Sequence, residues 1–109
     1  MDMNPFPHSN ILSFNDLIEY SQGGVISKQV IKAQTGNVTL FSFDAGQGLS
    51  EHSAPFDALV QIIEGNARIT IGGEPFELIA NQSIIMPANI PHALHAISAF
   101  KMILTMIRS

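Results

Sequence analysis

The chain has 109 residues, of which 46% are hydrophobic and 13% charged, with no cysteine and a formal net charge of −4 at pH 7. That length makes one domain with a core large enough to need no covalent staples, and the lack of cysteine excludes disulfides and thiolate metal or redox chemistry. Five basic residues scattered along an acidic chain are the wrong footprint for nucleic acid, and no apolar run is long enough to cross a bilayer.

The opening MDMNPFPHSN has neither the basic start nor the apolar core of a signal peptide, so a soluble cytoplasmic protein is expected. Residues 1–12 read as an arm: Pro5 and Pro7 oppose regular structure, while Phe6, Ile11 and Leu12 supply apolar surface to bury. Ser13 to Asp16 resembles a helix start with Ser13 as N-cap. It predicts a helix of roughly one to two turns, with Leu17, Ile18 and Tyr20 on one side and Gly23-Gly24 as its stop. Residues 1–24 are therefore expected to form an arm and short helix, and residues 25–109 the β domain.

From Val25 the hydrophobic period becomes two. Strands are predicted over residues 25–33, 38–43, 57–64, 67–71, 76–80, 83–86, 92–98 and 100–107, with none between 44 and 56. Corners fall at 44–48, 65–66, 72–75, 81–82 and 87–91, where glycine, asparagine and proline cluster. Eight short strands with no crossover helix imply an all-β sandwich or barrel. On the last strand Met102, Leu104 and Met106 alternate with Ile103, Thr105 and Ile107, so both faces are largely apolar. A strand with one wet face alternates more cleanly. Cover must come from the arm or from a second copy, and a homodimer is expected; a charged content well below the usual quarter points the same way.

Two segments carry the candidate site: GQGLSEHSAPFDALVQIIEG from Gly46 to Gly65, and NQSIIMPANIPHALHA from Asn81 to Ala96. Each carries a histidine, His52 or His92, beside an apolar strand-like run, and the second segment also holds His95. The segments are similar to the paired motifs of the cupin superfamily, with Gly46, His52 and Gly65 matching the first motif and Pro87 and His92 the second. The resemblance covers roughly Val38 to Ile107 and implies a cupin-type double-stranded β-helix, a jelly-roll barrel. In metal-binding cupins the ligands are three histidines and a glutamate. Here the second histidine position is Ala54 and the glutamate position Ala58, so two of the four remain, His52 and His92. Asn81 and Asn89 stand where the second motif usually has glycine, and Ala96 at its closing asparagine.

Residues of like parity share a strand face, which places His52, Ala54, Ala58, Val60 and Ile62 toward one interior with His92, Leu94 and Ala96. The expected pocket is His52, Ala54, Ala58, Val60, His92 and Leu94. Three functions fit these residues. The first is binding of a small molecule, with the two histidines as polar contacts and no complete metal site. The second is a metal-dependent oxygenase or isomerase, holding a divalent transition metal on His52 and His92 with a third ligand such as Asp57 or His95. The third is a non-catalytic structural or regulatory dimer module. Asp57 and His95 lie out of phase with the histidine pair, and an aspartate at a strand entry usually caps a turn. Met86, Met102 and Met106 read as core packing that can also line an adaptable cavity. No Gly-x-Ser-x-Gly elbow, nucleophilic cysteine or facing carboxylate pair is present, which disfavours hydrolysis by a nucleophile, and no residue is assigned a catalytic role.

Overall fold

The period-two stretches fold into two antiparallel sheets closed face to face over one core. The structure, a computed structural model, describes residues 6–108, so the expectation for Pro5 and the start of the arm lies outside the described residues. Nine strands follow one another: β1 (Val25–Ala33), β2 (Gly36–Phe43), β3 (Gly48–His52), β4 (Asp57–Glu64), β5 (Asn66–Ile71), β6 (Glu74–Ile79), β7 (Ser83–Met86), β8 (His92–Ala96) and β9 (Phe100–Ile107). One sheet has the order β1-β2-β9-β4-β7 and the other β3-β8-β5-β6. This is the all-β jelly-roll architecture expected. The core between the sheets includes Phe43, Val60, Ile62, Ile69, Phe100 and Met102, each at most 1% exposed. Phe43 and Phe100, cross-strand partners on β2 and β9, stack with ring centroids 4.5 Å apart.

Several expectations need correction. Residues 48–52 form β3, a strand not predicted, because Leu49 is the only large apolar side chain in GLSEH and the pairing is supplied by β8. Glu74 and Pro75 belong to β6 and not to the turn, which is made by Gly72 and Gly73 alone, both at positive φ. Pro75 tolerates this place because β6 is the last strand of its sheet. Strand β8 stops at Ala96, two residues early.

The predicted helix shrinks to a single 3-10 turn, Phe14–Asp16, and the Ser13 side chain makes no capping bond. Too few residues separate the arm from β1 to nucleate an α-helix at little cost. Gly23-Gly24 does not stop a helix; Gly23, at φ 66°, shapes the turn into β1, and its N–H donates to Asp44 Oδ2 at 2.6 Å.

The segment before β1 instead packs on part of the outer face of the five-stranded sheet. Phe6 and Ile18 pack with Val30 and Leu40 in a second, smaller core, flanked by Val38 and Ile103. Lys101, on the outer face of β9 and only 8% exposed, fastens it: Nζ donates to Asn15 O at 2.7 Å and Asn15 Oδ1 at 3.1 Å, and lies 3.6 Å from Glu64 Oε2. Tyr20 donates its hydroxyl to the same Glu64 oxygen, and the Ser42 hydroxyl donates to Glu19 O at 2.7 Å. The Tyr20 bond holds the Glu64 carboxyl below its usual range, aided by the Lys101 charge and opposed by burial.

Lys101→Met keeps the apolar stem and deletes the charged donor. We expect it to cost roughly 2 kcal/mol in urea unfolding, the scale of hydrogen bonds to a charged group. Amide exchange should accelerate across residues 6–20 while the strands of the main core stay protected; uniform acceleration would show that the lysine supports the whole barrel.

Candidate functional site

His52 closes β3 and His92 opens β8, and the register makes them direct cross-strand partners. Their ring centroids lie 4.4 Å apart with planes inclined by 67°. The backbone around them is fixed from three sides. Gly46 donates its N–H to Ala96 O at 2.9 Å, and the Ala96 N–H donates to Gln47 O at 2.8 Å. The Asn89 N–H donates to Ala54 O at 2.8 Å, tying the loop after β3 to the corner before β8. Asn81 and Asn89 take φ of 73° and 65°, the left-handed region that asparagine tolerates better than other residues with side chains. Their place in the sequence, where glycine is usual, is thereby explained: the backbone turn is kept.

Each imidazole has one nitrogen committed. His52 Nδ1 sits 2.8 Å from Ser50 O, and His92 Nδ1 3.3 Å from Ile90 O. A carbonyl oxygen only accepts, so Nδ1 carries the hydrogen in both rings and Nε2 is left as the bare nitrogen of the neutral form. His92 is buried, at 6% exposure, while His52 is exposed at the mouth. Burial lowers the His92 pKa below its ordinary 6.5, and the nearby His52 lowers it further, against the opposing bond to Ile90.

Both rings border a cavity of about 180 Å³ in the barrel. Ala54, Ala58 and Leu94 line it as the parity argument predicted, whereas Val60 is fully buried in the core and does not reach it. Val60 shares the face of Ala58 but stands two residues deeper along β4, behind its pairing with Ile84 and Leu104. The rest of the wall is apolar: Phe41, Leu49, Phe56, Met86, Met102, Leu104 and Met106. Leu49 was missed with its strand. Phe41 and Leu104 carried a usable signal, since each shares its face with a core residue of the same strand. Phe56 sits in the loop before β4, where no periodicity reports orientation.

Asp57 and His95 do not join the pair. Asp57 Oδ1 accepts from the Ala88 N–H at 2.9 Å, the turn-capping role its position suggested. His95 is exposed, opposite Gly48 and Arg68 on the face of β8 turned from the core. Among the described residues no group of three or more histidine, cysteine, aspartate or glutamate side chains is arranged to hold a metal ion.

Comparison with known proteins gives a match to the family model for the cupin domain over residues 39–108. A conserved protein of unknown function from Streptococcus pyogenes is similar at 38% identity and a TM-score of 0.93, over 97% of this chain and 93% of that one. A cupin 2 conserved barrel domain protein from Leptotrichia buccalis is 35% identical at a TM-score of 0.84, over 86% of this chain and 46% of its own. An uncharacterized protein of Streptomyces coelicolor is 29% identical over 70 residues, which is 64% of this chain and 67% of that one.

The depressed His92 pKa makes a signed prediction. Below about pH 6.5 the unfolded chain takes up a proton at this position that the folded protein refuses, so the unfolded state binds more protons and stability falls as pH falls. His92→Gln should flatten this part of the slope just below pH 6.5, as read from urea midpoints at successive pH values. An unaltered slope would place the acid sensitivity elsewhere.

Proposed function

The chain belongs to the cupin domain family, and from that premise we propose that it binds a small, mostly apolar molecule bearing a hydroxyl donor, with His52 and His92 as its polar contacts. The observation that carries this reading is the commitment of both Nδ1 atoms to backbone carbonyls beside one apolar cavity. With Nδ1 turned to a carbonyl in each ring, Nε2 is the nitrogen left to accept from an O–H, and burial favours the neutral form of His92. Cavities of about 150 Å³ hold a benzene-sized guest, so 180 Å³ suits one ring or a short branched chain. Met86, Met102 and Met106 in the wall allow some adjustment of shape.

The donor set does not fit a resident catalytic metal. Catalytic zinc takes three protein ligands and non-haem iron two histidines with a carboxylate, while the pair here has neighbours Ala54 and Ala58, whose methyls cannot coordinate. No helix among the described residues is long and apolar enough to cross a membrane, and the ligand is expected to arrive from water through the mouth at His52.

The test compares phenol, toluene and benzoate by thermal shift and by amide chemical-shift titration. Phenol should bind about tenfold more tightly than toluene, the worth of one net hydrogen bond, and benzoate least well. Ala58→Leu, which projects three further carbons into the cavity, should abolish binding without unfolding the protein. Replacing both His52 and His92 by alanine should erase the preference for phenol and leave toluene binding in place. Silence toward all three probes at millimolar concentration, or binding that survives Ala58→Leu, sinks the reading. So does iron, manganese, nickel or zinc that copurifies stoichiometrically and disappears in His52→Ala.

A further inference from the structure

Of the described residues that line the cavity, only Ala54 and Phe56 stand outside the strands. They belong to the connection between β3 and β4. Strand β3 lies in the four-stranded sheet and β4 in the five-stranded one, so residues 53–56 pass from sheet to sheet across the end of the barrel that holds His52 and His92. The connection from β7 to β8 crosses the same end. The two are joined where the Asn89 N–H donates to Ala54 O at 2.8 Å and the Ala88 N–H to Asp57 Oδ1 at 2.9 Å. Side chains alternate along residues 53–56: Ser53 and Pro55 are exposed, while Ala54 and Phe56 are half-buried and reach the cavity. Phe56 is thus the one large side chain of the wall that no strand ladder holds in place.

What holds that ring comes from the far end of the chain. Strand β4 pairs with β9 from Asp57 opposite Ile107, and one residue beyond that pair Arg108 meets Phe56. The guanidinium carbon of Arg108 lies 4.8 Å from the Phe56 ring centroid, inside the reach of about 6 Å over which a cation is attracted to an aromatic face. The Arg108 N–H donates to Thr35 O at 2.8 Å, which fixes its backbone against the turn between β1 and β2. Phe56 therefore borders the cavity while a cation anchored on the five-stranded sheet holds its ring.

We propose that Phe56 determines which guests the cavity takes and that Arg108 positions it; the proposal rests on the reading of the cavity as a binding site. A space of about 180 Å³ ends at the Phe56 ring, so a guest longer than one ring with a short substituent must push that ring away from Arg108. Ala54, the other inward side chain of the connection, is too small to set such a limit. The guest class is accordingly a single small ring or a short branched chain, and a long alkyl tail is refused at the mouth. An exposed contact of this kind favours the closed ring by only about two- to fivefold, which lets a guest of the right size pass.

Amide chemical-shift titration of the full chain with toluene and with n-butylbenzene reads the selectivity. The wild type should bind toluene at least about tenfold more tightly, the discrimination an apolar pocket makes against added methylenes. Phe56→Ala should abolish or invert that ratio by admitting the longer tail. Phe56→Leu should fall between, and decides the case if Phe56→Ala fails to fold. Hydrogen exchange at the Asn89 amide, whose acceptor is in the connection, reads Arg108 without any guest. Arg108→Gln should accelerate it about two- to fivefold and leave the strand amides unchanged. Arg108→Lys should restore protection, and in a Phe56→Leu background Arg108→Gln should have no further effect. Toluene binding with an unaltered ratio in the Phe56 variants overturns this proposal alone. Silence of the wild type and those variants toward both hydrocarbons overturns it together with the binding reading. Equal Asn89 exchange in the wild type and Arg108→Gln overturns the positioning of Phe56 by Arg108.

Discussion

Strand β9 lies in the middle of its sheet with both faces needed, and each notable feature of this protein answers to one part of it. Its inward side chains run from Phe100 and Met102 in the core to Leu104 and Met106 in the cavity wall. Its outward side chains run in parallel from Lys101, which fastens the preceding segment, through Ile103 in the smaller core, to Thr105 and Ile107 outside that core. One eight-residue strand thus sets the depth of the cavity, the anchoring of residues 6–20 and the extent of the uncovered face. A central strand buried on both sides carries most of its stability in packing, because its hydrogen bonds merely replace those lost to water.

The histidine pair is a second, local constraint. Cross-strand pairing brings the ring centroids to 4.4 Å, and the neighbouring His52 adds to the burial that lowers the His92 pKa. Burial of His92 breaks the symmetry between them: the inner ring is held neutral, while the outer one meets water at the mouth. On the proposed reading, one buried acceptor and one wet acceptor would orient a guest by its polar end and leave its apolar body against leucine, phenylalanine and methionine.

Much of this was legible in the sequence, and the exceptions share one cause. Strands 25–33, 57–64, 83–86 and 100–107 have the bounds that alternation and turn residues gave them, and the two motif histidines meet, as expected if both strands face one interior. Strand β3 escaped because a five-residue edge strand with one large apolar side chain has no pattern of its own; its existence is decided by β8, more than forty residues later. The helix expected after Ser13 failed for the converse reason. Local capping signals were present, but Ile18 and Phe6 are held by packing on the sheet, which an extended segment with one 3-10 turn provides as well as a helix. Parity alone points Val60 toward the pocket, but parity gives the face of a residue without its depth, and Val60 lies in the core. Asn81 and Asn89 stand where the motif usually has glycine, and their positive φ angles show that the turn geometry is kept, whereas alanine fills two of the motif's ligand positions.

That contrast bears on what the cavity is for. If the barrel served only as a scaffold, the space beside the histidines would be a defect: unfilled volume in a core costs about 24 cal/mol per Å³, so 180 Å³ represents at most about 4 kcal/mol. Enlarging either alanine would recover part of it, and Ala58 sits at 4% exposure with room in front of its methyl. A side chain at position 58 that served packing alone would be larger, like the leucine and valine at neighbouring 59 and 60. Alanine keeps the backbone, removes the donor and leaves the volume. The two retained imidazoles, whose hydrogen bonds to Ser50 and Ile90 fix the rings toward that volume, would have no reason to stay polar beside a space that nothing enters. Size, wall and polar contacts together support a barrel adapted to receive a molecule over one whose site has simply closed.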